Sequence, residues 1–285
     1  MHPTLHMLEK ELIEHKIVTR LPLFVVLCGV LLFVSLITSN TAQHSFLFEM
    51  NVTGDVSDIH MDFARDLNMV ITFGAGVLAL LLTTLYIPKT LRKERQEGSS
   101  MFWRSMPVSN TTTHLVKLGF GLVAIPAICA LLVLCADLLL WALNMTNDKQ
   151  LALLVNQESL LFVLTNWLVF FARMLVVGIA LLPLAAITLA ISQLVSSPIL
   201  VILVSGYAIK WLTIGLFGFY GISEFFSEIL SLPLNLLLAS NPLNAFANVH
   251  ILSLVIYIAL GVVGFIASRK LYQTDDVSLK SLFNR

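Results

Sequence analysis

Apolar residues fall in six long runs, each approaching the roughly 20 residues that a helix needs to cross a bilayer. They occupy Leu21 to Ser39, Leu67 to Ile87, Leu115 to Leu143, Leu160 to Leu189, Ile199 to Tyr220 and Ile251 to Ser268. The third and fourth are long enough to tilt or to project beyond the lipid. Two of the stretches between and around the runs have patterns of their own. Ahead of the first run, Leu5, Leu8 and Leu12 recur at helical spacing with Ile13 and Ile17 alongside. This predicts a moderately amphipathic helix over Thr4 to Arg20 at the membrane interface, with Glu9 and Lys16 intruding on its apolar face. Between the fifth and sixth runs, residues 221–249 are apolar but hold Pro233 and Pro242. That stretch is too interrupted for a seventh span and predicts short helices that dip into the membrane and return. The expected fold class is all-α: one permease-like domain over residues 1–285, polytopic, with six transmembrane helices, an N-terminal interfacial helix and short re-entrant helices before the last span.

Composition supports a membrane protein. Of the 285 residues, 58% are hydrophobic and 12% charged, and the mean hydropathy is +0.89, against about 25% charged residues in soluble domains. The formal net charge is zero, so no global basic field points to nucleic acid. The distribution of Lys and Arg is informative. Residues 1–20 hold Lys10, Lys16 and Arg20; the loop over residues 88–114 and its edge hold Lys89, Arg92, Lys93, Arg95, Arg104 and Lys117; the tail over residues 269–285 holds Arg269, Lys270, Lys280 and Arg285. The opposite side has only Arg65 and Lys149. Positive charge marks the inner side of a membrane, so both termini and the 88–114 loop are expected in the cytoplasm. The acidic segment Ser39 to Asp66 is then outside. Glu9, Glu11 and Glu14 precede the first run and no small-x-small site follows it, unlike a cleavable signal. Cys28, Cys129 and Cys135 lie inside apolar runs without paired spacing and read as packing residues.

Catalytic motifs are missing. No Gly-Lys dipeptide occurs, so the phosphate loop G-x-x-x-x-G-K-[ST] is absent, and there is no H-E-x-x-H helix. His44 and His60 share the outer segment with acids but lack ligand spacing, so no metal is expected. The chain is therefore not expected to be an enzyme. Three ionisable residues stand inside the runs: Asp137, Arg173 and Lys210. Such residues face a protein interior or a wet cavity and seek partners. Arg173 is the expected partner of Asp137, since consecutive spans commonly pack together and Arg binds a carboxylate in two-pronged fashion. Lys210 would then face a pathway. Glu224 and Glu228, in the re-entrant stretch, are candidates for an outer gate.

The 88–114 loop contains K-E-R-Q-E-G-S-S-M-F-W-R-S-M-P-V-S, residues 93–109. Residues Glu94 to Glu97 should finish a helix, Gly98 should follow its end, Pro107 should halt any short helix, and Ser109, Asn110 or Thr111 should cap the next. Phe102 and Trp103 can be read as an aromatic belt at the headgroups, or as an anchor for a cytoplasmic partner beside Arg104. This run resembles the cytoplasmic loop of type-2 ATP-binding-cassette (ABC) transporter permeases, where an acidic-basic-Gly-Ser run precedes an aromatic residue and S-x-P-V/I-S. The interfacial helix, six spans, internal termini and re-entrant helices resemble that family in layout. The resemblance implies that Glu94, Glu97, Gly98, Phe102, Trp103, Arg104 and Pro107 belong to a coupling segment that docks into an ATPase subunit. It also implies that ATP and Mg bind that partner and not this chain, and that a second permease copy or a related permease completes the complex in a bacterial inner membrane. Export of an amphiphilic or apolar substrate is the expected function. The alternatives are a secondary transporter and a non-transporting scaffold that recruits a cytoplasmic protein.

Overall fold

The computed structural model describes residues 3–38, 56–98, 108–146, 159–239 and 241–273. All of its regular structure is helical: α1 (Pro3–Glu14), α2 (Ile17–Thr38), α3 (Val56–Gln96), α4 (Asn110–Gly119), a π-helical turn (Phe120–Ala124), α5 (Ile125–Thr146), α6 (Leu160–Leu194), α7 (Pro198–Phe217), α8 (Gly221–Leu238), α9 (Pro242–Ala247) and α10 (Ile251–Gln273). Among the described residues seven stretches are long and apolar enough to cross a membrane: Ile17–Ser35, Leu67–Gln96, Asn110–Ala142, Leu160–Leu194, Pro198–Phe217, Gly221–Leu238 and Ile251–Gln273. The chain is a multi-pass membrane protein.

Several expectations change. The N-terminal helix stops at Glu14, and a turn at His15 and Lys16 separates it from α2. Helix α3 begins at Val56, inside the stretch expected to be an outer loop, and continues through Pro88 to Gln96. Residues 221–249 form one 18-residue helix and one six-residue helix, and Pro233 does not break the first. A proline removes one helical hydrogen bond; here the helix continues on both sides of it.

The chain divides into two compact units, Met1–His15, Leu81–Ile125 and Arg173–Arg285 in one, Lys16–Leu80 and Pro126–Ala172 in the other. In the first, α6 and α10 run parallel in close contact, with Tyr257 beside Ala180 and Leu184, Gly261 against Pro183, Gly264 against Ile187 and Ser268 beside Gln193. Glycine permits this approach. A Cβ on Gly261 would lie 2.6 Å from the Pro183 Cα, and one on Gly264 would lie 2.9 Å from the Ile187 Cα. The Tyr257 hydroxyl donates to the Ala180 carbonyl at 2.9 Å and accepts from the Leu184 N–H at 3.2 Å. It thereby stands between two groups that are ordinary helical partners, next to Pro183, where the ladder is already weakened.

The π turn has a similar cause. Pro126 has no N–H for the Leu122 carbonyl and its ring would crowd that carbonyl. The helix widens just before it, and the Ile125 N–H reaches back to the Phe120 carbonyl. Thr83 donates to the Gly121 carbonyl at 2.8 Å, and the Leu122 carbonyl lies only 2.7 Å from where a Cβ on Gly178 would stand.

Gly261→Ala must push two backbones apart, and overpacking of this kind costs about 1–3 kcal/mol. We expect a lower apparent Tm in detergent for Gly261→Ala and little change for Gly215→Ala, whose added Cβ meets nothing within 4 Å. Equal Tm values for the two variants would show that the α6/α10 contact is looser than described.

Candidate functional site

The first unit holds a buried group of ionised side chains from three helices. Glu11 comes from α1, Tyr86, Thr90 and Glu94 from the last turns of α3, and Lys117 from α4. Lys117 is 1% exposed, and Glu11 and Glu94 are each 2% exposed. The Lys117 ammonium has three hydrogens and three acceptors: Glu11 Oε1 at 2.5 Å, Thr90 Oγ1 at 2.8 Å and Glu94 Oε1 at 3.0 Å. Glu11 Oε2 accepts from the Tyr86 hydroxyl at 2.7 Å and from Thr90 at 3.1 Å. Lys10 pairs with the same Glu94 oxygen. At the buried centre two carboxylates, Glu11 and Glu94, thus balance two ammonium groups, Lys117 and Lys10, the latter also 3.6 Å from Glu14. That balance matters because an isolated charge out of water costs several kcal/mol, and only pairing with full hydrogen bonding offsets the cost.

His15 borders the network, its ring edge-on to Tyr86 with centroids 4.8 Å apart. Burial pushes the His15 imidazole below its ordinary value; Glu11 pulls it the other way, and Lys93, Lys117 and Lys10 lower it further. Burial would raise the Glu11 carboxyl, but the Lys117 ammonium, with hydrogen bonds from Lys117 and Tyr86, outweighs that and holds it below the ordinary carboxylate value. At neutral pH the 3.6 Å approach of His15 Nε2 to Glu11 is therefore not an ion pair.

A second polar cluster lies near the start of α4. His114 Nδ1 donates to the Asn110 carbonyl at 2.8 Å, since a carbonyl only accepts, and Nε2 lies 3.0 Å from Ser268 Oγ. The Gln193 amide donates to both Ser268 Oγ, at 2.7 Å, and the Ser268 carbonyl, at 2.9 Å. Arg95 donates to the Leu271 carbonyl. The ends of α3, α4, α6 and α10 are thereby tied by polar contacts to one another.

Within the motif, Gly98 takes φ +69°, a left-handed conformation that favours glycine, and its N–H bonds the Arg95 carbonyl at 3.1 Å. Ser109 caps α4, accepting from the Thr112 N–H at 3.1 Å. Glu94 is buried in the network, while Glu97 is exposed and lies 3.8 Å from Lys93. Phe102, Trp103, Arg104 and Pro107 lie outside the described residues. No family model matches the chain, and no curated protein or solved structure matches it either.

Asp137, Arg173 and Lys210, the ionisable residues expected inside the spans, have the following neighbours within their own units. In the second unit, the Asn166 amide donates to Asp137 at 2.7 Å and to Asn68 at 3.0 Å, with Asn68 reciprocating at 3.4 Å. In the first, Arg173 donates to the Leu237 carbonyl at 2.8 Å. Lys210 lies 6.0 Å from the ring centre of Tyr207, one turn away. Glu224 is exposed, and Glu228 accepts the His250 N–H at 3.4 Å.

Sequence reasoning placed Lys117 in the loop and gave Glu11 no role. The available signal was polarity at helical depth: α4 starts at Asn110, so Lys117 lies two turns inside a span, and such a residue requires a partner.

Removing one member of a buried ion group leaves the others uncompensated, which costs about 3–5 kcal/mol. Glu11→Gln and Lys117→Met should each lower folded yield and apparent Tm strongly, and the double variant, with balance restored, should be more stable than Lys117→Met alone. Additive single effects, measured by thermal unfolding in detergent, would show that the network is not coupled.

Both His15 and Glu11 favour the folded chain in their deprotonated forms. Their contribution is complete above the unfolded values, about 6.5 and about 4.5, and declines as pH falls, His15 first and Glu11 below it. Apparent Tm should drop between pH 7 and 5, and His15→Phe should flatten that drop while leaving the steeper loss below about pH 4.5. An unchanged slope in His15→Phe would remove His15 from this account.

Proposed function

We propose that this chain is the permease subunit of an ATP-driven exporter of the type-2 ABC kind that its 93–109 segment resembles. The observation that carries the reading is the Lys117 network. It fastens the N-terminal helix to both helices that flank residues 99–107, so a protein docked on that segment would push against a stiff frame. A segment hung on loose ends would absorb the same push. In this reading Phe102 and Trp103 are the anchors in a cleft of the ATPase subunit, with Arg104 and the exposed Glu97 as polar partners. Nucleotide closure of the ATPases shifts the spans between two arrangements, a two-state element biased by ATP. ATP and Mg stay on the partner, because this sequence lacks a phosphate loop. A second permease, identical or related, completes the pathway for an amphiphilic or apolar substrate across a bacterial inner membrane, with both termini in the cytoplasm.

Six crossings follow if α8 turns back. Arg173 is 21 residues from the end of α6 at Leu194, about 32 Å along a helix. A crossing α8 would end near the Leu194 end, because α7 begins just after it and α8 starts from the far end of α7. Leu237 instead accepts from Arg173, and Glu228 holds the N–H just before α10. Both fastenings favour a re-entrant α8 with Glu224 and Glu228 towards the outer face.

Two experiments test the reading. Trp103→Ala should insert normally but lose ATPase co-purification or substrate-stimulated hydrolysis, since truncating an interface anchor commonly costs about 2 kcal/mol, roughly thirtyfold in affinity. Normal complex yield and turnover would return Trp103 to a headgroup belt and favour the scaffold or secondary-transporter reading. In a background without native cysteines, Ser57→Cys and Asn241→Cys should react with an impermeant thiol reagent in intact cells, and Ser99→Cys and Ser278→Cys only after permeabilisation. Reaction of Ser99→Cys from outside would overturn the orientation; protection of Asn241→Cys would make α8 a seventh span.

A further inference from the structure

Helices α7 and α8 enclose a cavity of about 350 Å³ whose lining changes character along its length. One end is polar, with Lys210, Tyr207, Ser223 and Ser227; the other has Ile202, Leu203 and Leu230, beside Ser231, whose hydroxyl is taken by the Glu228 carbonyl. Those three apolar residues also line a smaller cavity of about 110 Å³, which continues towards Pro88, Leu184 and Ala185. The first volume lies within the about 300–1,000 Å³ typical of small-molecule pockets.

Lys210 gives the cavity a chemical requirement. It is the thirteenth of the 20 residues of α7, about 10 Å from the end of that helix at 1.5 Å per residue. A cation at such depth in a span needs an anion or water. Among the described residues no carboxylate pairs with it, and the Tyr207 ring face, at 6.0 Å, is at the limit of a cation–π contact. Ser223 and Ser227 lie one turn apart on α8, both line the cavity, and neither hydroxyl has a hydrogen-bond partner among the described residues. One cation and two open hydroxyls at one end, with aliphatic walls at the other, match a molecule with an acidic head and an alkyl chain.

We propose that this cavity binds an amphiphile bearing one acidic head group, the head on Lys210, Ser223 and Ser227 and the chain running between Leu203 and Leu230. The site depends on α7 lying in the membrane and not on the transporter reading, so it can stand or fall separately from Trp103.

The test uses the full chain in nanodiscs of neutral phosphatidylcholine, with a medium-chain fatty acid carrying a diazirine as probe. Photolysis should label peptides of α7 and α8. The unlabelled acid should compete, while the alcohol of the same chain length and inorganic phosphate should not. Anionic phosphatidylglycerol forms a separate arm: competition by it identifies a lipid headgroup as a source of the same chemistry, and its failure assigns the site to single-chain acids. Lys210→Met should weaken labelling about tenfold, and Lys210→Arg should retain it. Ser227→Leu, which fills the cavity but keeps the charge, should abolish it. Equal labelling in Lys210→Met, equal competition by the alcohol, or displacement by phosphate would each overturn the proposal. If Lys210→Met does not elute as a single species, the contrast between Lys210→Arg and Ser227→Leu decides, and retained labelling in Ser227→Leu overturns it.

Discussion

One buried ammonium group constrains the first unit more than any other contact. Lys117 is buried, and its three hydrogens find protein acceptors on two other helices. Without it Glu11 would lose its charged hydrogen-bond donor, and Lys117 in turn needs the two carboxylates as counter-ions. The network therefore forms as a whole or not at all. Its members fix where α1 lies against α3 and α4, and hence the frame on which residues 99–107 are carried. Apolar packing alone would leave α1 free to slide, because one aliphatic contact substitutes readily for another. Three directed hydrogen bonds to a single nitrogen do not allow that.

The prolines of the spans show the same principle applied to backbone. A helix in lipid has no water to receive a carbonyl or N–H that a proline leaves without a partner. Next to Pro183 the Tyr257 hydroxyl lies between Ala180 and Leu184. Ahead of Pro126 the helix widens, and Thr83 takes the exposed Gly121 carbonyl. In both places a neighbouring helix must stand very close, which is why Gly261, Gly264 and Gly178 face these sites. Helix irregularity and glycine packing are two consequences of the same absence of water.

Among the charged and histidine side chains discussed inside the spans, Lys210 stands apart. Asp137, Arg173, His114 and Lys117 each have a protein partner. Lys210 has no carboxylate among the described residues and lines a cavity. The helix that bears it is also the least buried of the seven apolar stretches. A residue that fold stability does not explain is where a ligand is to be sought.

By itself the sequence determined that the chain is helical and spans a membrane many times, because about 20 consecutive apolar residues have no other stable arrangement in water or lipid. It also narrowed the cap to Ser109, Asn110 or Thr111, of which Ser109 serves, and put Gly98 past the end of a helix, since both depend on the chemistry of a few adjacent residues. What it could not give was any pairing between distant residues. Nothing in composition marked Asn166 as a donor to Asp137, or the Leu237 carbonyl as an acceptor for Arg173, because neutral amides and backbone groups that satisfy a charge leave no signature there. Pro233 looked like a break, but 18 residues continue through it. Glu11 stood out only as one of three acids ahead of the first apolar run, and only the approach of α3 and α4 made it the partner of Lys117. Hydropathy records how each residue behaves alone against water or lipid; which polar atoms meet is decided by helices whose contacting residues lie as many as 176 positions apart, and only the tertiary structure brings them together.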